Sequence, residues 1–517
     1  MVFEWLGGGK VDHPMADIRD ARKIVAALPA DDASRALEEI TRWLESLKAA
    51  EAYKLNRRLE NLDLLDGASG KHQRRLLQDY LATPRHRKSD EHRLWTDVYR
   101  FWRELGEGYL QCLQHYEASP ARALAFRDSL PIIIARALRA FRQQLKWILL
   151  RYGLVEARVW SELARLYRFA EDKGFADETI AVHPGTIGGS TVKQEFLKAL
   201  VFAASSTDSL HPVAQDLASR LVTHFSRAFV LAGNPGAGCT HWFDLEAPKA
   251  PARIVGVPEE KATVRFFGAG PALHELEQLK AHIAYTRSLP DDLELPGEQD
   301  IDAVMTLLKH LEMNWSGKTQ ARRFERRKVA SRVTVVPGIQ GIIEVLEFAV
   351  NDSLDFSHQQ AAESWIVEDL SEGGYGAVIP AVQGDWVEVG SLIGVEGETF
   401  RQWRVGLIRR VTRNEQQQQR VGVQLLTQNA TLAGLRLPAK GSTAGAATRK
   451  LGFAVLLAAT PEGRGDVELV IGKDVLDGAD SVEMSIGDKT YLLIQGVMVG
   501  HGSDYDRFKF KLNRRAR

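Results

Sequence analysis

Apolar residues recur every three or four positions through residues 36–47, 94–116, 121–152 and 159–169, with few β-branched runs. This periodicity predicts helices from about residue 14 to 230, broken where turn-forming residues gather at 66–70, 84–90, 119–120 and 183–190. Between 233 and 271 Gly and Pro become dense, and the short runs 253–257 and 262–267 alternate as strands do. Two further helices are expected at 274–286 and 301–315, separated by an acidic, Pro-containing loop at 288–300. From Arg332 onward the runs are short and β-branched or alternating: 333–336, 341–350, 364–369, 391–395, 404–411 and 420–426. A stretch rich in Gly, Ala, Thr and Ser at 429–448 reads as a linker, and a second set of runs follows at 452–457, 467–471, 481–486, 490–499 and 507–512. Short strands with regular turn signals predict barrels or small sandwiches, not a parallel α/β sheet.

The expected fold is therefore multidomain α+β: a helical region over 1–232, a mixed segment of short strands and helices over 233–317, an antiparallel β-barrel over 318–428 and a small C-terminal β module over 449–517. With 44% hydrophobic and 26% charged residues the composition is that of a globular chain. Lys+Arg and Asp+Glu both number 67, so net charge gives no reason to expect nucleic acid or membrane as a partner. The two cysteines, Cys112 and Cys239, exclude a disulfide framework or a Cys-rich zinc site and read as small buried hydrophobes. The best candidate for a membrane span is 131–150, but Arg136, Arg139, Arg142 and Lys146 recur through it at helical spacing. It is expected to pack on protein without membrane insertion, and the absence of a secretory pattern at 1–9 points to the cytoplasm.

Two features at the entry to the first β cluster carry candidate chemistry. One is the basic stretch 318–332, with Arg322, Arg323, Arg326, Arg327, Lys328 and Arg332; the other is Asp369-Leu-Ser371-Glu-Gly-Gly374, which closes a strand. A guanidinium fork can donate two hydrogen bonds to the O6 and N7 edge of guanine, stack on a base or pair with phosphate. An Asp and a Ser followed by Gly make a tight turn. There the carboxylate can accept from guanine N1 and N2, and the Gly lets a ligand approach the backbone.

Over residues 318–428 this arrangement resembles the PilZ family of cyclic-di-GMP receptors, whose signature is RxxxR before the first barrel strand and then [D/N]xSxxG. The second half is matched at Asp369, Ser371 and Gly374, and 403–410 and 420–426 resemble later barrel strands. For the first half several registers stay open. Arg332 is the residue nearest the expected strand, with Lys328 or Arg327 as its partner, while Arg322/Arg326 and Arg323/Arg327 have RxxxR spacing further upstream. The resemblance implies a PilZ-like antiparallel barrel and a bacterial, non-enzymatic signalling protein with cyclic di-GMP as ligand. It also implies that these arginines, Lys328, Asp369, Ser371 and Gly374 form the site. Ligand binding would then change domain packing or the binding of a protein partner through the helical region. The alternative is a ligand-free adaptor whose barrel binds protein.

Other motifs do not support chemistry. The run from Gly233 to Thr240 (GNPGAGCT) has P-loop spacing, but Cys239 stands where the phosphate-binding Lys is required, and 213–231 before it reads as helix. The 14 histidines show no paired ligand spacing, and no GxSxG nucleophile elbow occurs.

Overall fold

The computed structural model describes residues 13–50, 53–83, 88–118, 124–182, 189–256, 261–290, 293, 300–318, 324–351, 362–380, 386–397, 400–414, 416, 418–437, 450–458, 465–476, 479 and 481–513. The chain divides into two compact units, one of residues 1–207 and 212–319, the other of 208–211 and 320–517.

The first unit is mainly helical: α1 Ile18–Ala26, α2 Ala33–Ala49, α3 Leu55–Ala82, α4 Lys88–Ala118, α5 Leu130–Leu150, α6 Ala157–Asp172, α7 Val192–Ala204 and α8 Pro212–His224. Asp17, Asp32 and Thr191 cap α1, α2 and α7 by accepting from backbone N–H groups of the first turn, and Thr191 completes a capping box with Gln194. The expected break at 66–70 does not occur, because α3 runs through it. Asp66 and Ser69 lie on its buried face, and Asp66 pairs with Arg139 of α5 at 2.9 Å. α5 is buried on nearly every side, and each of its basic residues meets a carboxylate from a neighbouring helix: Arg136 with Asp63, Arg139 with Asp66, Arg142 with Glu195 and Lys146 with Asp216. These pairs explain why a largely apolar 21-residue helix belongs to a protein core. Among the described residues no helix is long and apolar enough to cross a membrane.

After α8 come β1 Val230–Ala232, β2 His241–Asp244, β3 Ala252–Arg253 and β4 Val264–Gly268, forming an antiparallel sheet in the order β1-β4-β2-β3, then α9 Ala272–Thr286 and α10 Ile301–Trp315. A short strand, not only a helix, therefore precedes the glycine-rich loop, which leads into another strand rather than the helix a P-loop requires. Packing explains its glycines. A Cβ at Gly238 would lie 2.8 Å from the Cα of Gly270, and one at Gly268 would lie 2.1 Å from the carbonyl oxygen of Gly238. Cys112 is buried, and burial pushes its thiol up to about 12, whereas Cys239 in this loop is only half-buried.

The second unit contains two closed barrels. The first has β5 Arg327–Pro337, β6 Glu363–Ser371, β7 Gly374–Ile379, β8 Leu392–Gly397, β9 Phe400–Arg413 and β10 Gln419–Thr427, closed in the order β10-β7-β6-β5-β8-β9. Between β5 and β6 lies α11, Gly338–Asn351, where a strand was expected at 341–350. Its Ile and Val content suits a strand, but Ile339, Ile342, Ile343 and Leu346 fall on one helical face and are buried. The second barrel has β11 Thr431–Arg436, β12 Lys450–Leu456, β13 Asp466–Gly472, β14 Ser481–Ile486, β15 Lys489–His501 and β16 Tyr505–Asn513, in the order β11-β12-β13-β16-β15-β14. β11 occupies part of the stretch read as a linker, with Ala433 and Leu435 buried in the barrel core; residues 438–449 lie outside the described residues. One cluster joins Ile342 and Leu346 of α11 to Val405 of the first barrel and Val455, Val470 and Tyr505 of the second.

Asp504 accepts the Ile339 N–H at 2.8 Å and so caps α11 from the far end of the sequence. Asp504→Ala should cost about 1 kcal/mol, the usual size of a lost cap, in urea unfolding, and no measurable change would show the cap to be idle. His241 is buried beside Phe267, and burial, aided by Arg253, pulls its pKa from 6.5 down to about 4. The unfolded chain therefore takes up this proton at higher pH than the folded one. The stability conferred by the neutral ring is complete above about pH 6.5 and is lost as pH falls towards 4. A shift of that size corresponds to about 3 kcal/mol, so His241→Gln should visibly flatten the fall in stability between pH 6.5 and 4.5. An unchanged slope would contradict the assignment.

Candidate functional site

The site begins with the way β5 pairs. Residues 333–335 of β5 are bonded to β6 on one side and β8 on the other, whereas 327–332 have register partners in β6 alone. Its first six residues are correspondingly wet, all but Val329 being exposed, and they form a ribbon along an open edge of the barrel sheet, paired with β6 on one side only while β6 itself goes on to pair with β7. Two irregularities shape the ribbon. Lys328 faces Asp369 but Ser331 faces Val367, so β5 carries an extra residue, and across β6 and β7 Val367 faces Ala377 while Asp369 already faces Gly376. Such bulges re-aim side chains at the rim of a barrel.

Asp369 is the centre of the candidate site. Its carboxylate lies over Gly376, where a Cβ would approach its Oδ2 to 2.7 Å, and it accepts a hydrogen bond from Arg326 Nη1 at 2.5 Å. Both side chains remain about one-third exposed, so water competes for the pair, and exposed pairs of this kind contribute on the order of 1 kcal/mol or less. Lys328 stands opposite Asp369 in the ladder and Arg327 opposite Leu370. Ser371 Oγ donates to the Gly374 carbonyl at 3.0 Å and closes the turn between β6 and β7. Gly374 is required there, since a Cβ would stand 2.0 Å from the Val423 carbonyl oxygen of β10. The ribbon grows from a rigid base: the Glu363 carboxylate, buried at the start of β6, accepts from Trp365 Nε1 at 3.0 Å and Trp386 Nε1 at 2.9 Å, and the two indoles stack.

The structure thus brings together Arg326, Lys328, Asp369, Ser371 and Gly374, with Arg327 at the adjoining ladder position. Arg332 is placed otherwise. The strand begins at Arg327 and not at Val333, so Arg332 lies within β5, exposed, opposite Ile366 and on the far side of the bulge. Residues abutting the strand are Arg326 and, four earlier, Arg322, which with Arg323 lies outside the described residues. Sequence reasoning missed Phe324. Its ring covers Gly373, where a Cβ would meet it at 2.8 Å, yet it stays 42% exposed at the site's edge. The signal was present as one aromatic inside an otherwise polar, basic run. Among the described residues no cluster of three or more His, Cys, Asp or Glu is placed to hold a metal.

Comparison with known protein families gives two matches. Residues 19–235 match the N-terminal domain of the cyclic-di-GMP receptor FimW, and residues 350–431 match its middle PilZ domain. The second match contains Asp369, Ser371 and Gly374, while the basic stretch before β5 and most of the second barrel fall outside both. No curated protein matches the chain. With more than half of its length covered in this order, the chain belongs to the FimW family of cyclic-di-GMP receptors, with a PilZ domain in its middle.

Proposed function

We propose that the protein is a non-enzymatic regulator that binds cyclic di-GMP on the β5–β6 ribbon and passes the event to a protein partner. The observation that carries this reading is the Arg326–Asp369 pair, a donor fork and an acceptor held together at an exposed rim. Each partner suits one part of a ligand with two guanines and two phosphates. The guanidinium can take phosphate or the O6 and N7 edge, and the carboxylate can accept from guanine N1 and N2. Phe324 offers a face for base stacking, and Lys328 and Arg327 add positive charge. Because the ion pair is weak in water, the ligand can break it at small cost and replace it with stronger, charge-assisted contacts. The basic stretch lies where the chain passes from one compact unit to the other, between residues 319 and 320. Fixing it on ligand would change what the helical unit offers a partner, provided the ligand favours one arrangement. The family match and the lack of any catalytic constellation in the sequence support a receptor over an enzyme.

Charge-assisted hydrogen bonds contribute about 1.5–3 kcal/mol, and about 1.4 kcal/mol is tenfold in affinity. In calorimetric titrations with cyclic di-GMP, Arg326→Ala and Asp369→Ala should each weaken binding at least tenfold. Phe324→Ala and Ser371→Ala should weaken it less, and Arg332→Ala by under threefold. If Arg332→Ala exceeds Arg326→Ala, or if Lys328→Arg tightens binding, the ligand lies further along β5 and the register is 328/332. If none of these changes alters binding, the ribbon is not the site.

A further inference from the structure

The helical unit holds a cavity of about 420 Å³ walled by α3, α4, α5 and α8. Five basic side chains line it, Arg74, Arg139, Arg142, Lys146 and Arg220, with His224 beside them, and no carboxylate does so among the described lining residues. The counter-charges sit behind the wall and are too few. Asp66 serves Arg139, Asp216 serves both Lys146 and Arg220, and Glu195 is shared between Arg142 and Lys198, while Arg74 has no ion-pair partner among the described residues. Arg142 is the most strained of these electrostatically. Its side chain is only 11% exposed, its Nε has no hydrogen-bond partner among the described residues, and the Glu195 carboxylate stands 3.9 Å away, beyond hydrogen-bond reach. Burial lowers the pKa of both Arg142 and Lys146, as it does when a cation is short of compensation. The guanidinium of Arg139, 4.8 Å from the Trp102 ring centre, adds a flat cationic surface.

Cations held out of water with spare donors call for an anion, and forked donors fit phosphate oxygens best. We propose that this cavity is a ligand site separate from the barrel, taking a small phosphorylated molecule of up to mononucleotide size that bears at least two negative charges, with Arg142, Arg74 and Lys146 as its phosphate contacts. The volume is in the range of small-molecule sites, and the walls are helices already fixed by their own packing.

The test uses the full chain, saturated with cyclic di-GMP so that the barrel site is occupied, titrated calorimetrically with pyrophosphate and with GTP. Both probes should bind, and Arg142→Gln should weaken them at least tenfold. Arg74 is exposed at the cavity's edge, so Arg74→Glu should fold normally and still weaken both at least fivefold. Arg75→Glu makes the same charge change one residue along α3, at a side chain 67% exposed that pairs with Asp79 and does not line the cavity; it should change binding less than twofold. Tighter binding of GTP than of pyrophosphate assigns a nucleotide, and equal binding assigns the phosphates alone. Absence of binding by either probe at about 10 mM, an affinity too weak to be specific, overturns the proposal. So does an Arg75→Glu effect as large as that of Arg74→Glu, which would leave only general electrostatic attraction.

Discussion

Closure of the first barrel obliges β5 to bond β6 along one edge and β8 along the other, but only residues 333–335 have partners in both. The other interactions at the site follow from this mismatch in length. The surplus of β5 becomes a ribbon with β6, and a bulge in each pairing turns the ribbon so that Asp369 faces the basic residues entering β5. A fully paired β5 would be an ordinary wall strand, with its backbone groups satisfied on both sides. The ribbon leaves one edge of residues 327–332 without ladder partners, beside a cluster of donors and one carboxylate.

The helical unit obeys a different constraint. Its central helix, α5, holds cations largely buried, and such burial is tolerated only when carboxylates from other helices arrive at matching heights. Asp63, Asp66, Glu195 and Asp216 supply these from α3, α7 and α8. Glu195 shows the strength of the coupling. Burial alone would raise its carboxyl, yet Lys198 and Arg142 hold it at about 2.

What the sequence revealed depended on whether a residue's role was local. Asp369, Ser371 and Gly374 were legible because a tight turn with a close backbone approach is written in adjacent positions. The start of β5 was not, because its first six residues lie at an open sheet edge with no buried position and so no alternation: RKVASR looks like a solvated stretch, and this placed Arg332 ahead of Arg326. α11 was misread for the opposite reason, since its Ile- and Val-rich text favours strands locally while the buried stripe from Ile339 to Leu346 packs as a helix. In α3, Gly67 and Gly70 suggested a break that the buried Asp66 overrides through its pair with Arg139 of α5, while Ser69 Oγ bonds back to the Asp66 carbonyl within the helix. Phe324 became visible as part of the site only once Gly373 was seen beneath it.

In the proposed mode, cyclic di-GMP is held where the chain enters β5 and turns out of β6. Amide hydrogen exchange of the full chain, with and without saturating ligand, tests it most directly. Slowed exchange is expected to concentrate in peptides covering Phe324–Lys328 and Asp369–Gly376, with little change in the second barrel at β13 and β16. Unchanged exchange in those two segments, with protection appearing elsewhere, would contradict it.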